Sequence, residues 1–137
     1  MTDISTELVK KARKWISYAE EDLRLAEHGL TISSSCPYRL IAYHAQQCAE
    51  KYLKAYLVLK RVDFPYTHNI RTLIQLCEGN WGVEISNADE LTPFAVTTRY
   101  PGEDDRVTRQ DTLHAIELAK KVRKVLRRVF REEEFFN

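Results

Sequence analysis

The chain has little material for long loops or hairpins: four glycines and four prolines among 137 residues, the two residue types on which tight turns most depend. Cysteine is scarce and odd in number. Cys36, Cys48 and Cys77 lie far apart and no C-x-x-C occurs. That excludes a disulfide or zinc framework and reads as reduced thiols in a cytoplasmic protein. No apolar run approaches the roughly 18 residues that a membrane span needs, and the N-terminal MTDISTELVKKARKW has no apolar signal core. Net charge is also nearly absent: 21 Lys and Arg against 20 Asp and Glu leave +1. The whole-chain charge therefore argues neither for nor against a nucleic-acid partner, and the local distribution must decide. Paired catalytic carboxylates, a Ser/His/Asp arrangement, a glycine-rich phosphate loop and metal-ligand spacing are all missing, so no metal and no other cofactor is expected.

What is present is helical. Apolar residues make up 44% and charged residues 30% of the chain, an ordinary balance for one globular domain, here residues 1–137. The organising stretch is Pro37 to Lys60. Pro37 suits a first helical turn, where its missing N–H has no partner to lose. Ile41, Ala45, Cys48, Tyr52, Ala55 and Leu59 follow at helical spacing and form one apolar stripe. Beside it runs a polar line, Gln47, Glu50, Lys51 and Lys54. Glu50 and Lys54 are spaced for a surface ion pair worth about 0.2–0.5 kcal/mol, too little to form the helix. This line reads as a flank open to solvent and to a ligand.

The other elements follow from the same periodicity. Ser5 to Leu30 is a first long helix with Leu8, Ala12, Trp15, Ala19, Leu23, Ala26 and Leu30 inward. The short connection TISSSC places it antiparallel to the next. Pro65 breaks the chain after Lys60. Thr67 is expected to cap a short helix over about residues 68–78, with Val83 and Ile85 as loop anchors after it. Ser86 with Asp89 is expected to open a fourth helix to about Arg99, with Pro93 kinking or delaying it. Thr108 with Asp111 caps the last helix, which runs toward Glu134. Its inward set is Leu113 or Thr112, then Ile116, Ala119, Val122, Leu126 and Val129. Its outer face carries seven Lys or Arg in twelve residues, Lys120 to Arg131. If the first and last helices run antiparallel, Lys10, Lys11, Arg13 and Lys14 join that basic face and give a patch for RNA or an acidic partner. Trp and Tyr fall mostly within the apolar stripes, so stacking on bases is not expected. The fold expected is all-α: an up-and-down four-helix bundle core with one extra shorter helix.

Four pieces of sequence, in order, match a known pattern. The first helix has W-x6-D-L-x2-A at Trp15, Asp22, Leu23 and Ala26. The second has H-A-x-Q-x-x-E-K-x-x-K-A at His44, Ala45, Gln47, Glu50, Lys51, Lys54 and Ala55. T-H-x-I follows at Thr67, His68 and Ile70, and R-Y-P at Arg99, Tyr100 and Pro101. Together they resemble the HEPN domain family, named for nucleotide binding in higher eukaryotes and prokaryotes. The resemblance implies a four-helix core, a homodimer, and a stand-alone prokaryotic protein that acts with a minimal nucleotidyltransferase as a toxin–antitoxin pair.

Some members of that family are metal-independent ribonucleases. They carry Arg-x4–6-His at the start of the last core helix, and their cleft forms at the dimer interface. Arg109 and His114 stand at that place here, with Gln110 where Asn, Asp or His is usual. Arg39 and His44 have similar spacing earlier in the chain. Histidine as base and arginine as phosphate cation would fit attack by a 2′-OH. The expected ligand-binding residues are His44, Gln47, Lys51, Lys54 and Arg99. Arg99 reads equally well as a bundle lock paired with Asp22.

Overall fold

The computed structural model describes residues 6–95, 106–133 and 135. Its elements are α1 (Thr6–Gly29), α2 (Tyr38–Leu59), α3 (Ile70–Leu76), a 3-10 segment (Asn80–Ala95) and α4 (Arg109–Glu132). No strand occurs among the described residues. The expected all-α bundle is what forms, with three long helices and two shorter elements.

α2 is the central post. Most of its residues are buried, and α1, α4, α3 and the 3-10 segment all pack on it. Paired side chains give the directions. Asp22 meets His44 and Lys51, and Glu20 meets Tyr52, so α1 is antiparallel to α2. The Thr112 hydroxyl donates to the Tyr38 carbonyl and Arg127 approaches Tyr52, so α4 runs parallel to α2. α1 buries small residues, Ala12, Ala19 and Ala26, all almost fully covered. Gly29 continues this set: a Cβ there would lie 2.7 Å from Ile41 Cγ1 and 2.9 Å from its Cδ1. Gly29→Ala is expected to cost about 1–3 kcal/mol by overpacking, read from the urea midpoint.

The caps are partly as expected. At α4 the Thr108 hydroxyl accepts from Asp111 N–H and the Asp111 carboxylate accepts from Thr108 N–H, a complete capping box. At α3 the cap is Asn69 rather than Thr67. Asn69 accepts from Thr72 N–H, while the Thr67 hydroxyl accepts from Asn69 N–H and shapes the approach.

The fourth element differs most. It is 3-10 backbone from Asn80, interrupted at Ile85 (φ −120°, ψ 24°), not an α-helix from Ser86. Gly82, Pro93 and several short polar residues give it weak α propensity, and burial of Trp81, Ile85, Ala88 and Leu91 holds it instead. Asp89 pairs with Arg71 rather than capping. Ile85 is the expected anchor, but Val83 is 79% exposed. On α4 the inward residue is Thr112, fully buried, and Leu113 faces out. The expected continuation to Arg99, and Tyr100–Pro101, lie outside the described residues.

Candidate functional site: a basic cleft between α1 and α4

The polar line on α2 is not an open flank. Gln46, Gln47, Glu50 and Lys54 are all buried. Lys54 Nζ lies 2.8 Å from Glu50 Oε2, with 8% and 4% of the two side chains exposed. Glu50 Oε1 also accepts from Gln46 Nε2 at 3.1 Å and pairs with His68 Nδ1 at 2.8 Å. Gln46 bonds the His68 carbonyl, and Gln47 donates to Gln46. The cover comes from two places that helical periodicity does not connect. Trp15 of α1 and Phe64 of the α2–α3 loop lie over Lys54 Nζ, with ring centroids at 5.6 and 5.5 Å. The Glu50–Lys54 pair, expected at the surface, is therefore internal. His68 ties the loop to α2 through the same carboxylate.

A second cluster joins α1 to α2. Asp22 Oδ1 is 2.8 Å from His44 Nδ1 and Asp22 Oδ2 is 2.6 Å from Lys51 Nζ. His44 and Lys51 keep 28% and 22% of their side chains exposed. Asp22 is thus taken by partners on α2, and Arg99 lies outside the described residues. At the mouth of α4, His114 Nε2 pairs with Glu90 at 2.8 Å, both about half exposed, and Arg109 is exposed.

Two of the carboxylates carry a pH signature. Burial pushes the Glu50 carboxyl up, but hydrogen bonds from Lys54, His68 and Gln46 outweigh it and hold the group below its ordinary 4.5. Burial likewise raises Glu20, and the Arg123 and Tyr52 hydrogen bonds more than reverse it. Both groups bind a proton less readily folded than unfolded. Their stabilisation is complete above the unfolded value near 4.5 and is lost as pH falls through the lowered folded values. Acid unfolding followed by circular dichroism is expected to begin below pH ~4.5, with a shallower dependence in Glu50→Gln. Burial raises the Cys48 thiol strongly and pushes Cys77 up to about 12, which makes both unreactive.

A basic opening lies elsewhere. α1 and α4 both lean on α2 and meet each other only thinly. The gap between them is a cleft of about 580 Å³. From α1 it receives Glu20, Leu23, Arg24 and Glu27, and from α4 Lys120, Arg123, Lys124, Arg127 and Arg131. Arg123 forks onto Glu20, with Nε and Nη2 at 2.6 and 3.1 Å, and the Tyr52 hydroxyl donates to the same carboxylate. Lys120 pairs with Glu27 at 2.7 Å. Six cations stand against two carboxylates, so the lining carries four positive charges in excess. The basic face of α4 was legible as seven cations in one run. Arg24 was not, because it stands alone among the acids of α1. Of the basic residues at the start of α1, Arg13 joins this side, beside Arg127 and Arg131, while Lys11 and Lys14 line a groove against α2.

The sequence profile of the HEPN domain matches residues 12–129. The chain belongs to the HEPN family. No curated protein matches it. Among solved structures it is similar to the crystal structure of TT1696 from Thermus thermophilus, at 27% identity and a TM-score of 0.71, over 92% of this chain and 98% of that one. Asp22, His44 and Lys51 form one α1–α2 tie, and Gln47, Glu50, Lys54 and His68 belong to the buried network. In this HEPN chain these residues hold the bundle together, and the basic cleft lies apart from them, between α1 and α4. Among the described residues no group of three or more His, Cys, Asp or Glu could hold a metal ion, and no helix is long and apolar enough to cross a membrane.

Proposed function

We propose that this HEPN domain binds a phosphate-bearing ligand, nucleotide or RNA, in the α1–α4 cleft, and that it does so as a cytoplasmic homodimer paired with a minimal nucleotidyltransferase in a toxin–antitoxin system. The observation that carries the reading is the charge excess of the cleft in a chain of net charge +1. Solubility has no need of such a concentration, whereas a polyphosphate ligand that releases counterions does. The charge sits on two helices braced by α2, so it is preorganised and does not have to be gathered on binding. Of the residues expected from sequence, His44 and Lys51 remain partly exposed but lie outside the cleft lining. Gln47 and Lys54 act through the framework.

Affinity for single-stranded RNA or ATP should fall steeply with salt, because each phosphate contact releases a counterion. An affinity unchanged between roughly 50 and 200 mM salt would remove the cleft from the account. Static light scattering should give twice the 16.1 kDa chain mass at micromolar concentration. Copurification with a nucleotidyltransferase encoded next to this chain tests the pairing.

A second reading, metal-independent RNA cleavage, is favoured by one observation. Asp22 holds His44 through Nδ1 and Lys51 through its other oxygen, so a partly exposed imidazole stands beside a cation, a pairing that suits attack by a 2′-OH. His114, the residue expected from the position of its motif, has its Nε2 engaged by Glu90 at the surface. If the protein cleaves RNA in the presence of chelator, His44→Ala is expected to abolish cleavage and His114→Ala to spare it. The reverse result would return the site to Arg109 and His114.

A further inference from the structure

The basic cleft does not end where its charge does. Toward the start of α1 and the end of α4 it continues into a second hollow of about 410 Å³. Arg127 and Arg131 line both spaces. The second is different in kind: Ile16 and the buried Phe130 form its floor, Ser17 lies open at one side, and Arg13 joins the two shared arginines at the rim. An apolar floor bordered by guanidinium planes suits a flat, aromatic, uncharged group, which it can hold by burial and by stacking. Inorganic polyphosphate has no such group, and duplex RNA keeps its bases paired inside the helix.

We infer that the α1–α4 cleft is a two-part site, in which Lys120, Lys124 and Arg127 take the phosphates and the Ile16–Phe130 hollow takes an unpaired base. This rests on the proposed phosphate binding in the same cleft and names its ligand class: a base joined to phosphates, whether a free nucleotide or the single-stranded end of an RNA. Each hollow is of the size of small-molecule sites, roughly 300–1,000 Å³. Charge alone would make the cleft indifferent to the base. The apolar half gives it a reason to prefer nucleotide over polyanion.

The test compares ATP with inorganic triphosphate by calorimetry on the full chain at low salt, for wild type and for Ser17→Trp. Ser17 is exposed, so the indole can fill the hollow without entering the core, and a thermal melt checks that the fold is intact. Wild type is expected to bind ATP about tenfold or more tighter than triphosphate. Ser17→Trp should erase that preference and leave triphosphate affinity as it was. Equal binding of the two ligands by wild type overturns the base site and leaves the phosphate cleft standing. A preference that survives in Ser17→Trp puts the base elsewhere and also overturns it. Failure of both ligands to bind rejects the phosphate reading and this one with it. Competition by a single-stranded RNA hexamer identifies the source as an RNA end, and competition by mononucleotides alone identifies a free nucleotide. Equal competition by a blunt duplex counts against the inference.

Discussion

Lys54→Ala is expected to destabilise the bundle by about 3–5 kcal/mol, although the residue removed is a lysine on a helix that sequence periodicity places at the surface. The reason is the partner left behind. Glu50 keeps only 4% of its side chain exposed, and Lys54 is the cation that neutralises it. His68 and Gln46 still donate to it, but a buried carboxylate without its cation bears an uncompensated desolvation cost. For a domain of this size the loss corresponds to a fall in melting temperature of roughly 10–20 °C. Two companions give the result its meaning. Lys51→Ala removes a cation that is 22% exposed from a carboxylate that His44 still holds, and should cost about 1 kcal/mol or less. The double variant Glu50→Gln/Lys54→Met removes both charges and should recover much of the single loss. If Lys54→Ala melts within ~2 °C of wild type, the pair is not the buried tie described here.

The second large effect concerns binding. Lys124→Glu combined with Arg127→Glu is expected to weaken ATP or RNA binding about a hundredfold or more at low salt, and to lower the salt slope by about one unit per lost phosphate contact. Both side chains lie in exposed positions on α4 and line the cleft, so the melting temperature should change little. Lys121→Glu is the control: it makes the same charge change on the same helix but lies outside the cleft lining. Equal losses from Lys121→Glu and from either cleft substitution alone would mean that general attraction, not this cleft, holds the ligand.

The apolar periodicities of α1, α2 and α4 were legible because a helix repeats its faces at a fixed spacing, so Ala12, Ala19 and Ala26, or Ile116, Val122 and Leu126, announce their burial in the sequence. The Thr108–Asp111 capping box was legible for a similar reason: both partners lie within one turn. The Asn80–Ala95 segment was less so. Its glycine, Pro93 and short polar residues favour no single helix type, and packing against α2 and α4 settles its shape.

The polar residues show where local reasoning stops. Gln47, Glu50 and Lys54 were visible as a line, but a line of polar residues has the same pattern whether water or protein lies over it. Trp15, 39 positions before Lys54, and Phe64, ten after it, decide the matter by lying over the amine. The cleft is likewise a property of three helices at once. Arg123 reaches Glu20 across 103 positions, and the gap above them exists because α1 and α4 each pack on α2 more closely than on each other. By itself the sequence determined which segments are helical, where α4 starts and which apolar faces turn inward, because these depend on neighbours within a turn or two. Which polar side chains are spent on internal ties, and which positive charges are left facing an opening, only the tertiary structure decided, because burial of a charge depends on every element that closes over it.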